Sequence, residues 1–400
     1  MIRRQLPAYS PVLPLQLAGA YVDAARSPAR TLDALTEHLT DRYAAREVVL
    51  TGSGTQALQL ALMECRRALG RDLVVALPAF SCYDLVTAAN GADVRIAFYD
   101  IEPRSLAPER DSFRLTLDAG VGAVVVGNLY GFPLDWDWLR AECRGRGVTV
   151  IEDAAQGLGA TWNGAESGSF GDLSVLSFGR GKGWNGGGGG ALMRRSGKPL
   201  SPACHGLDPA AAMAGAKALL VSLAMWGVGR PALYRLPSLI PGLELGETMY
   251  HEPGPVRAMS AVSAAIAARH AMPALDALVA RQARSEGWRQ ALTEMKTEGP
   301  ALVPCDPTPG GRSGWLRFPA LARDRATRDS WVADAGDLGV APGYPLALPH
   351  LPETESLNVS GRATFRGAQR LAASLLTLPT HPRVSPQDQR RFCSIQGEVR

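Results

Sequence analysis

Along the first half of the chain, hydrophobic positions alternate between two periods. In residues 31–46, Leu32, Leu35, Leu39 and Tyr43 recur every three or four positions, which predicts a helix with one apolar face. Val48, Val49 and Leu50 then form a short apolar run, closed by Thr51-Gly52-Ser53-Gly54-Thr55. Residues 57–69 return to the helical period, with Leu58, Ala61, Leu62 and Cys65 on one side. The alternation continues with a strand at 73–77, a helix at 82–90 stopped by Gly91, and a strand at 94–99. A β-branched run at 121–126, a helix at 136–146 closed by Gly147, and a strand at 148–151 leading into Glu152-Asp153 complete the series. Unbroken apolar strands alternating with amphipathic helices predict βαβ units, hence an α/β fold with a mainly parallel sheet covered on both faces.

Past Gly190 the pattern changes. Residues 200–255 are rich in Ala, Pro and Leu and lack strand alternation. Residues 258–279 read as a helix that continues with polar positions to about Met295. Short strands such as 316–319 and a helix at 366–375 follow. The expected division is a large domain over 1–255, carrying an apolar helical insert at about 200–255, and a smaller C-terminal α/β domain over 256–400. Within the insert, residues 210–229 carry only one charge, Lys217. The run is Ala-rich rather than Leu- or Phe-rich, and a lysine near a bilayer centre costs about 2.5–3.5 kcal/mol. Prolines at 231 and 237 limit any helix. A packed helix, not a transmembrane span, is expected, lying over the side of the chain that carries the chemistry.

Composition narrows the choice of function. Of 400 residues, 46% are hydrophobic and 20% charged, and the formal net charge is only +4. Arginines are interspersed with acids, which argues against a nucleic-acid surface. The six cysteines (Cys65, Cys82, Cys143, Cys204, Cys305 and Cys393) form no CxxC pair and have no histidine at zinc-finger spacing. No metal site is expected, and a reducing, cytoplasmic compartment is. Arg3 and Arg4 are not followed by a long apolar core, so no secretory leader is expected either.

The candidate chemistry sits where the apolar strands end. Asp153 closes an apolar strand, at the edge where open α/β sheets bind ligands. Alanines at 154 and 155 leave space for a flat group, although an acid there can also cap the next helix. Lys182 lies between Gly181 and Gly183, which permit tight turning; a solvated loop lysine is the plainer reading. The turn Ser53-Gly54-Thr55, before a helix, offers N–H groups and hydroxyls to a phosphate, and Ser177 adds a hydroxyl. An amine, a carboxylate and a phosphate cradle together match pyridoxal 5′-phosphate (PLP). That cofactor takes a lysine for its imine and an acid to keep its ring nitrogen protonated.

These segments resemble the DegT/DnrJ/EryC1/StrS family of fold-type-I PLP enzymes, best known as sugar aminotransferases. The resemblance is carried by Ser53-Gly54-Thr55-Gln56-Ala57-Leu58, Pro78-Ala79-Phe80-Ser81, Tyr130-Gly131 and Glu152-Asp153-Ala154-Ala155-Gln156. It continues through Gly168-Ser169-Phe170-Gly171-Asp172, Ser177-Phe178 with Lys182, and Leu378-Pro379-Thr380-His381-Pro382. It implies that Lys182 holds the cofactor as a Schiff base, that Asp153 pairs with the pyridinium, and that Gln156 meets the ring hydroxyl. Gly54, Thr55 and Ser177 then contact the phosphate, beside Ser53. It further implies a homodimer with shared active sites and transfer of an amino group from glutamate or glutamine to a keto-sugar or related ketone. Three positions depart from the family. Cys82, followed by Tyr83, stands where a ring-stacking aromatic is usual. Gly188 replaces an acid. Val256 occupies the place of the partner's phosphate-binding Asn, a role that neighbouring Arg257 is expected to take. Two alternatives stay open: a PLP-dependent lyase or other enzyme breaking a bond at Cα, and a PLP-binding protein without turnover.

Overall fold

The computed structural model describes residues 4–230, 248–295, 302–361 and 363–395. Two helices open the chain, α1 (Pro14–Arg26) and α2 (Pro28–Tyr43), each starting on a proline. A first-turn N–H has no intrahelical partner, so its absence there costs nothing. Then come β1 (Glu47–Thr51), α3 (Gly54–Leu69), β2 (Val74–Pro78), α4 (Asp84–Ala92), β3 (Arg95–Tyr99), α5 (Arg110–Asp118) and β4 (Ala123–Gly127). The large layer closes with α6 (Trp136–Arg144), β5 (Thr149–Asp153), the short strands β6 (Thr161–Trp162) and β7 (Ala165–Glu166), β8 (Leu173–Ser177) and β9 (Gly190–Arg194).

Seven of these strands form one sheet in the order β1-β9-β8-β5-β4-β2-β3. The steps from β8 through β5, β4 and β2 to β3 are parallel, and β9 runs antiparallel to both its neighbours. Ala123, Val124, Val125 and Val126 are all fully buried, as a strand covered on both faces requires. The sequence pattern thus finds five of the seven strands, but it misses β8, the antiparallel β9 and two helices. In α1 only Leu17, Ala20 and Ala24 are buried, a stripe too small in side chain to stand out among other alanines. In α5 only Phe113, Thr116 and Leu117 are. The end expected at Gly91 is also displaced. Gly91 lies inside α4 because the Gln59 amide packs 2.5 Å from where its Cβ would be, and the helix closes at Asp93 in the left-handed region (φ 52°).

Beyond β9, α7 (Pro202–His205) and α8 (Ala214–Val228) precede the 34-residue α9 (Ala261–Glu294). Helix α8 packs through Ala218 against Leu17 and Ala20 of α1 and Ile266 of α9. No helix among the described residues is long and apolar enough to cross a membrane. The prolines at 231 and 237 lie outside the described residues. Pro273 sits inside α9, where it cannot donate to the Arg269 carbonyl; the Gln16 amide does so instead, at 3.3 Å. One end of α9 buries Ala264, Ala267 and Ala271 with Leu35 and Leu39 of α2. The other brings Trp288 edge-on to Phe392. The remaining strands are β10 (Val303–Pro304), β11 (Gly311–Arg312), β12 (Arg317–Leu321), β13 (Ala341–Pro342) and β14 (Leu375–Pro379). Strands β10, β12, β14 and β13 form a second, antiparallel sheet in that order, while β11 joins β6 and β7. Helices α10 (Arg325–Ala335), α11 (Arg366–Ser374) and α12 (Pro386–Ile395) complete this region.

Candidate active site

At the carboxyl end of β5 the two-residue strand period sends Glu152 and Asp153 to opposite faces. Glu152 is fully buried. Its carboxylate accepts the N–H groups of Gly168 (2.6 Å), Phe170 (2.8 Å) and Gly171 (3.3 Å) and the hydroxyls of Ser167 (3.1 Å) and Ser174 (3.0 Å). Burial raises its pKa, and these donors oppose the rise. This knot ties the loop before β8 to β5, and so sets Ser177 and the chain beyond it relative to Asp153.

Asp153, on the opposite face, is half-buried. Its Oδ1 accepts the Ala155 N–H at 3.0 Å. Burial raises its pKa, the Lys182 ammonium pulls it back, and the Asp84 carboxylate adds a smaller push upward. Asp153 and Lys182 are therefore electrostatic partners, although one ends β5 and the other lies in the loop after β8.

The residues after Lys182 fix its loop. The Trp184 indole N–H donates to the Ala267 carbonyl (2.7 Å), the Asn185 N–H to His270 Nδ1 (3.1 Å), and the Asn185 amide to the Ser10 carbonyl (2.7 Å). The flanking glycines are explained locally. Gly181 has φ 73°, and a Cβ on Gly183 would meet Arg281 Nη1 at 2.9 Å and Leu158 at 3.0 Å.

The phosphate cradle is assembled from two motifs. Ser53 caps α3, its Oγ accepting the Gln56 N–H at 3.1 Å, so Gly54 and Thr55 form the first turn of a 16-residue helix. A Cβ on Gly54 would lie 2.6 Å from Ser177 Cβ and 2.8 Å from its Oγ. Glycine is what lets the helix start and the end of β8 converge. A helix N-terminus with its positive dipole end and neighbouring hydroxyls fits a phosphate dianion.

The other expected residues fall around this centre. The Gln156 amide accepts the Tyr130 N–H at 2.9 Å and donates to the Tyr344 hydroxyl at 2.9 Å. The two candidates for the ring position have different surroundings. Tyr83 is buried, and its hydroxyl accepts the Leu346 N–H at 2.9 Å. The Cys82 thiol donates to Asp84 at 3.4 Å and lies within electrostatic reach of Lys182; burial first, then Asp84, pushes its pKa up to about 12. Arg257 touches the Ser53 turn of its own chain through its backbone. Its carbonyl accepts from Gly52 (2.8 Å), its N–H donates to Gln56 (3.1 Å), and its guanidinium reaches the Pro209 carbonyl (3.4 Å). Gly188 lies in the glycine tract (φ 153°). Beside it, a Cβ on Gly187 would come within 2.8 Å of both the Ala218 carbonyl of α8 and the Ser222 hydroxyl.

Two residues at the site carried no motif. Tyr344 enters from the loop after β13, its ring stacked on Tyr130 with centroids 6.4 Å apart. Arg317 opens β12 and lies within electrostatic reach of both tyrosines. The available signals were weak: a tyrosine between Gly343 and Pro345, and an arginine interrupting an apolar strand. Tyr130 (φ 54°) and Trp315 (φ 48°) both hold left-handed backbone here, a strain that clusters at functional sites.

A family model described as the DegT/DnrJ/EryC1/StrS aminotransferase family matches residues 26–395. The L-glutamine:2-deoxy-scyllo-inosose aminotransferase of Streptoalloteichus tenebrarius is 33% identical over 148 residues, 37% of this chain and 34% of that protein. The aligned stretch thus spans about a third of that relative's length. Among solved structures, a DegT DnrJ EryC1 StrS aminotransferase from Brucella abortus superposes with a TM-score of 0.72 at 20% identity, covering 96% of this chain and 95% of that one. GDP-4-keto-6-deoxy-D-mannose-3-dehydratase from E. coli, solved with bound hydrated PLP, gives 0.75 at 15% identity, covering 99% and 100%. At these identities the superpositions show a shared fold.

Proposed function

The chain belongs to the DegT/DnrJ/EryC1/StrS aminotransferase family, and from that premise we propose that it is a PLP-dependent aminotransferase. It moves an amino group from glutamate or glutamine to a ketone on a nucleotide-linked sugar or related biosynthetic ring. The observation that carries this reading is the pairing of Asp153 with Lys182 beside the cradle in which Gly54 meets Ser177. The name of the Streptoalloteichus relative supports glutamine as donor and a cyclic ketone as acceptor.

In this reading Lys182, Asp153 and Gln156 hold the ring of PLP, with Cys82 against it. Ser53, Gly54, Thr55 and Ser177 hold its phosphate, joined by Arg257 of the partner subunit. Bound there, the cofactor supplies an electron sink for the bond broken at the substrate's Cα. The Asp153 carboxylate would sit at the ring nitrogen, where its negative charge favours a protonated ring. The Lys182 amine would take and hold the proton removed from the substrate's Cα. The Gln156 amide, clasped between Tyr130 and Tyr344, orients the ring edge.

The test is a half-reaction without acceptor. Glutamate or glutamine alone is expected to bleach the yellow cofactor absorption, and the matching keto acid to restore it. Lys182→Ala is expected to abolish the lysine-linked absorption. Asp153→Asn keeps bound cofactor but slows bleaching at least about 100-fold, the low end of what proton-transfer assistance contributes. Release of ammonia in place of reversible bleaching would assign the protein to the lyases. Persistent colour with every amino donor would leave it a binding protein.

A further inference from the structure

Among the described residues, Arg317 has no carboxylate paired with it. It sits on β12 between Leu316 and Phe318, both buried, so the strand period turns it to the other face. There its Nε and Nη2 are both out of solvent with no hydrogen-bond partner. Leaving a guanidinium edge desolvated and unpaired is costly, and a fold that retains one generally offers it to something. Burial lowers its pKa, and the only neighbours that oppose this appreciably are two tyrosines, Tyr130 and Tyr344.

The position of this edge is tied to the reaction centre by short links. The Leu316 N–H donates to the Tyr130 carbonyl at 2.9 Å, and the Tyr130 N–H to Gln156 at 2.9 Å. Gln156 follows Asp153 by three residues and donates to the Tyr344 hydroxyl, whose own proton is left free to donate. Cys82 lies within electrostatic reach of Lys182 on one side and of Tyr130 and Tyr344 on the other.

We infer that the Arg317 guanidinium edge, with the Tyr344 hydroxyl beside it, receives the α-carboxylate of the amino donor. The parallel Nε and Nη2 donors of an arginine match the two oxygens of a planar carboxylate, a bidentate, charge-assisted pair. An α-amino acid carries its carboxylate one carbon from the nitrogen that must reach Lys182. A receptor set one tyrosine layer from Cys82 and Lys182 suits that short span. The inference rests on the aminotransferase reading for the identity of the anion. A nucleotide diphosphate is the other anion that such an enzyme meets, and the experiment separates the two.

Arg317→Gln, Arg317→Lys and Tyr344→Phe are compared with the wild-type holoenzyme in two ways. Calorimetric titration uses glutarate and UDP as probes, and initial rates are measured with donor and acceptor varied separately. Arg317→Gln is expected to weaken glutarate binding and raise the donor KM by about 10- to 100-fold, as loss of a charge-assisted pair predicts. UDP binding and the acceptor KM stay within about twofold. Arg317→Lys, a charge without the fork, recovers only part of the loss, and Tyr344→Phe shows a smaller one. Cofactor absorbance and circular dichroism report whether each variant is folded. Should Arg317→Gln fail to fold, Arg317→Lys and Tyr344→Phe carry the same comparison. A loss of UDP affinity with glutarate unaffected, or unchanged donor parameters in every variant, overturns the inference while transamination itself stands. Glutarate binding that depends on Arg317 in a protein that transaminates nothing would overturn the functional reading alone.

Discussion

At the scale of single residues, the site separates groups that titrate from groups that are held. Two histidines belong to the second kind, His270 beside the Lys182 loop and His381 against Leu6 and Tyr9. His270 and His381 are both buried, and burial pushes their pKa values down to about 4. His270 accepts the Asn185 N–H and faces Arg281, while His381 bonds the Leu6 carbonyl at 2.9 Å and faces Arg281, Arg383 and Asp388. Unfolded, each would titrate at about 6.5. Between those values the unfolded chain binds more protons than the folded one, so stability rises with pH across this window. It is fully present above about pH 6.5 and is lost as pH falls towards 4. The carboxyls of Glu152 and Asp153, with raised pKa values, act in the opposite sense. The discriminating measurement is therefore the urea midpoint at pH 5.5 and 7 in wild type and in His270→Gln and His381→Gln. The wild-type midpoint is expected to fall at the lower pH, and each substitution to flatten the dependence. Equal slopes in all three proteins would remove the histidines from the account.

At the scale of elements, the carboxylate of Glu152 acts as a splice between β5 and the loop leading into β8. Three backbone N–H groups and two hydroxyls, all buried, depend on it. Glu152→Ala would strand these donors, and leaving a buried donor unsatisfied costs about 1–3 kcal/mol. The expected result is a lower urea midpoint together with weaker cofactor retention, since Ser177 ends β8 and Lys182 follows it. Glu152→Gln, which keeps the shape and part of the accepting capacity, should lose less. Cofactor affinity unchanged in a destabilised Glu152→Ala protein would show that this splice supports the fold without positioning the site. The same scale explains the glycines. Gly54 is required by Ser177 and Gly183 by Arg281 and Leu158, so each marks a meeting of two elements rather than a flexible joint.

At the scale of the whole molecule, the proposed assembly is a homodimer in a reducing cytoplasm. Its motivation is the family's shared site and an apolar surface on α1 and α8. Leu15 is 85% exposed and Leu220 67%, with Leu223 also open to solvent. Sedimentation equilibrium is expected to return twice the chain mass. Leu220→Asp combined with Leu223→Asp should shift the protein towards monomer and lower its cofactor affinity. A monomer that binds cofactor as tightly as the wild type would refute the shared site. Sedimentation with membranes that survives alkaline extraction would instead identify a lipid-facing surface.

The sequence by itself determined the alternation of strands and helices as far as β5, the position of Asp153 at the end of its strand, and the turn at Ser53 that opens α3. All three follow from local causes: the burial period of an element and the geometry of the residue that ends it. The helix α1 escaped because its buried face is largely alanine, and α5 because the exposed Leu115 between buried Phe113 and Leu117 gives the run a strand-like alternation. Only the tertiary structure gave the Tyr83 hydroxyl to the Leu346 N–H of a distant loop and set Cys82 within electrostatic reach of Lys182. It alone brought Tyr344 to Gln156, 188 residues away, and left the Arg317 edge unpaired. Contacts between segments so far apart along the chain leave no period or spacing in it. They are set by how the second sheet packs against the first.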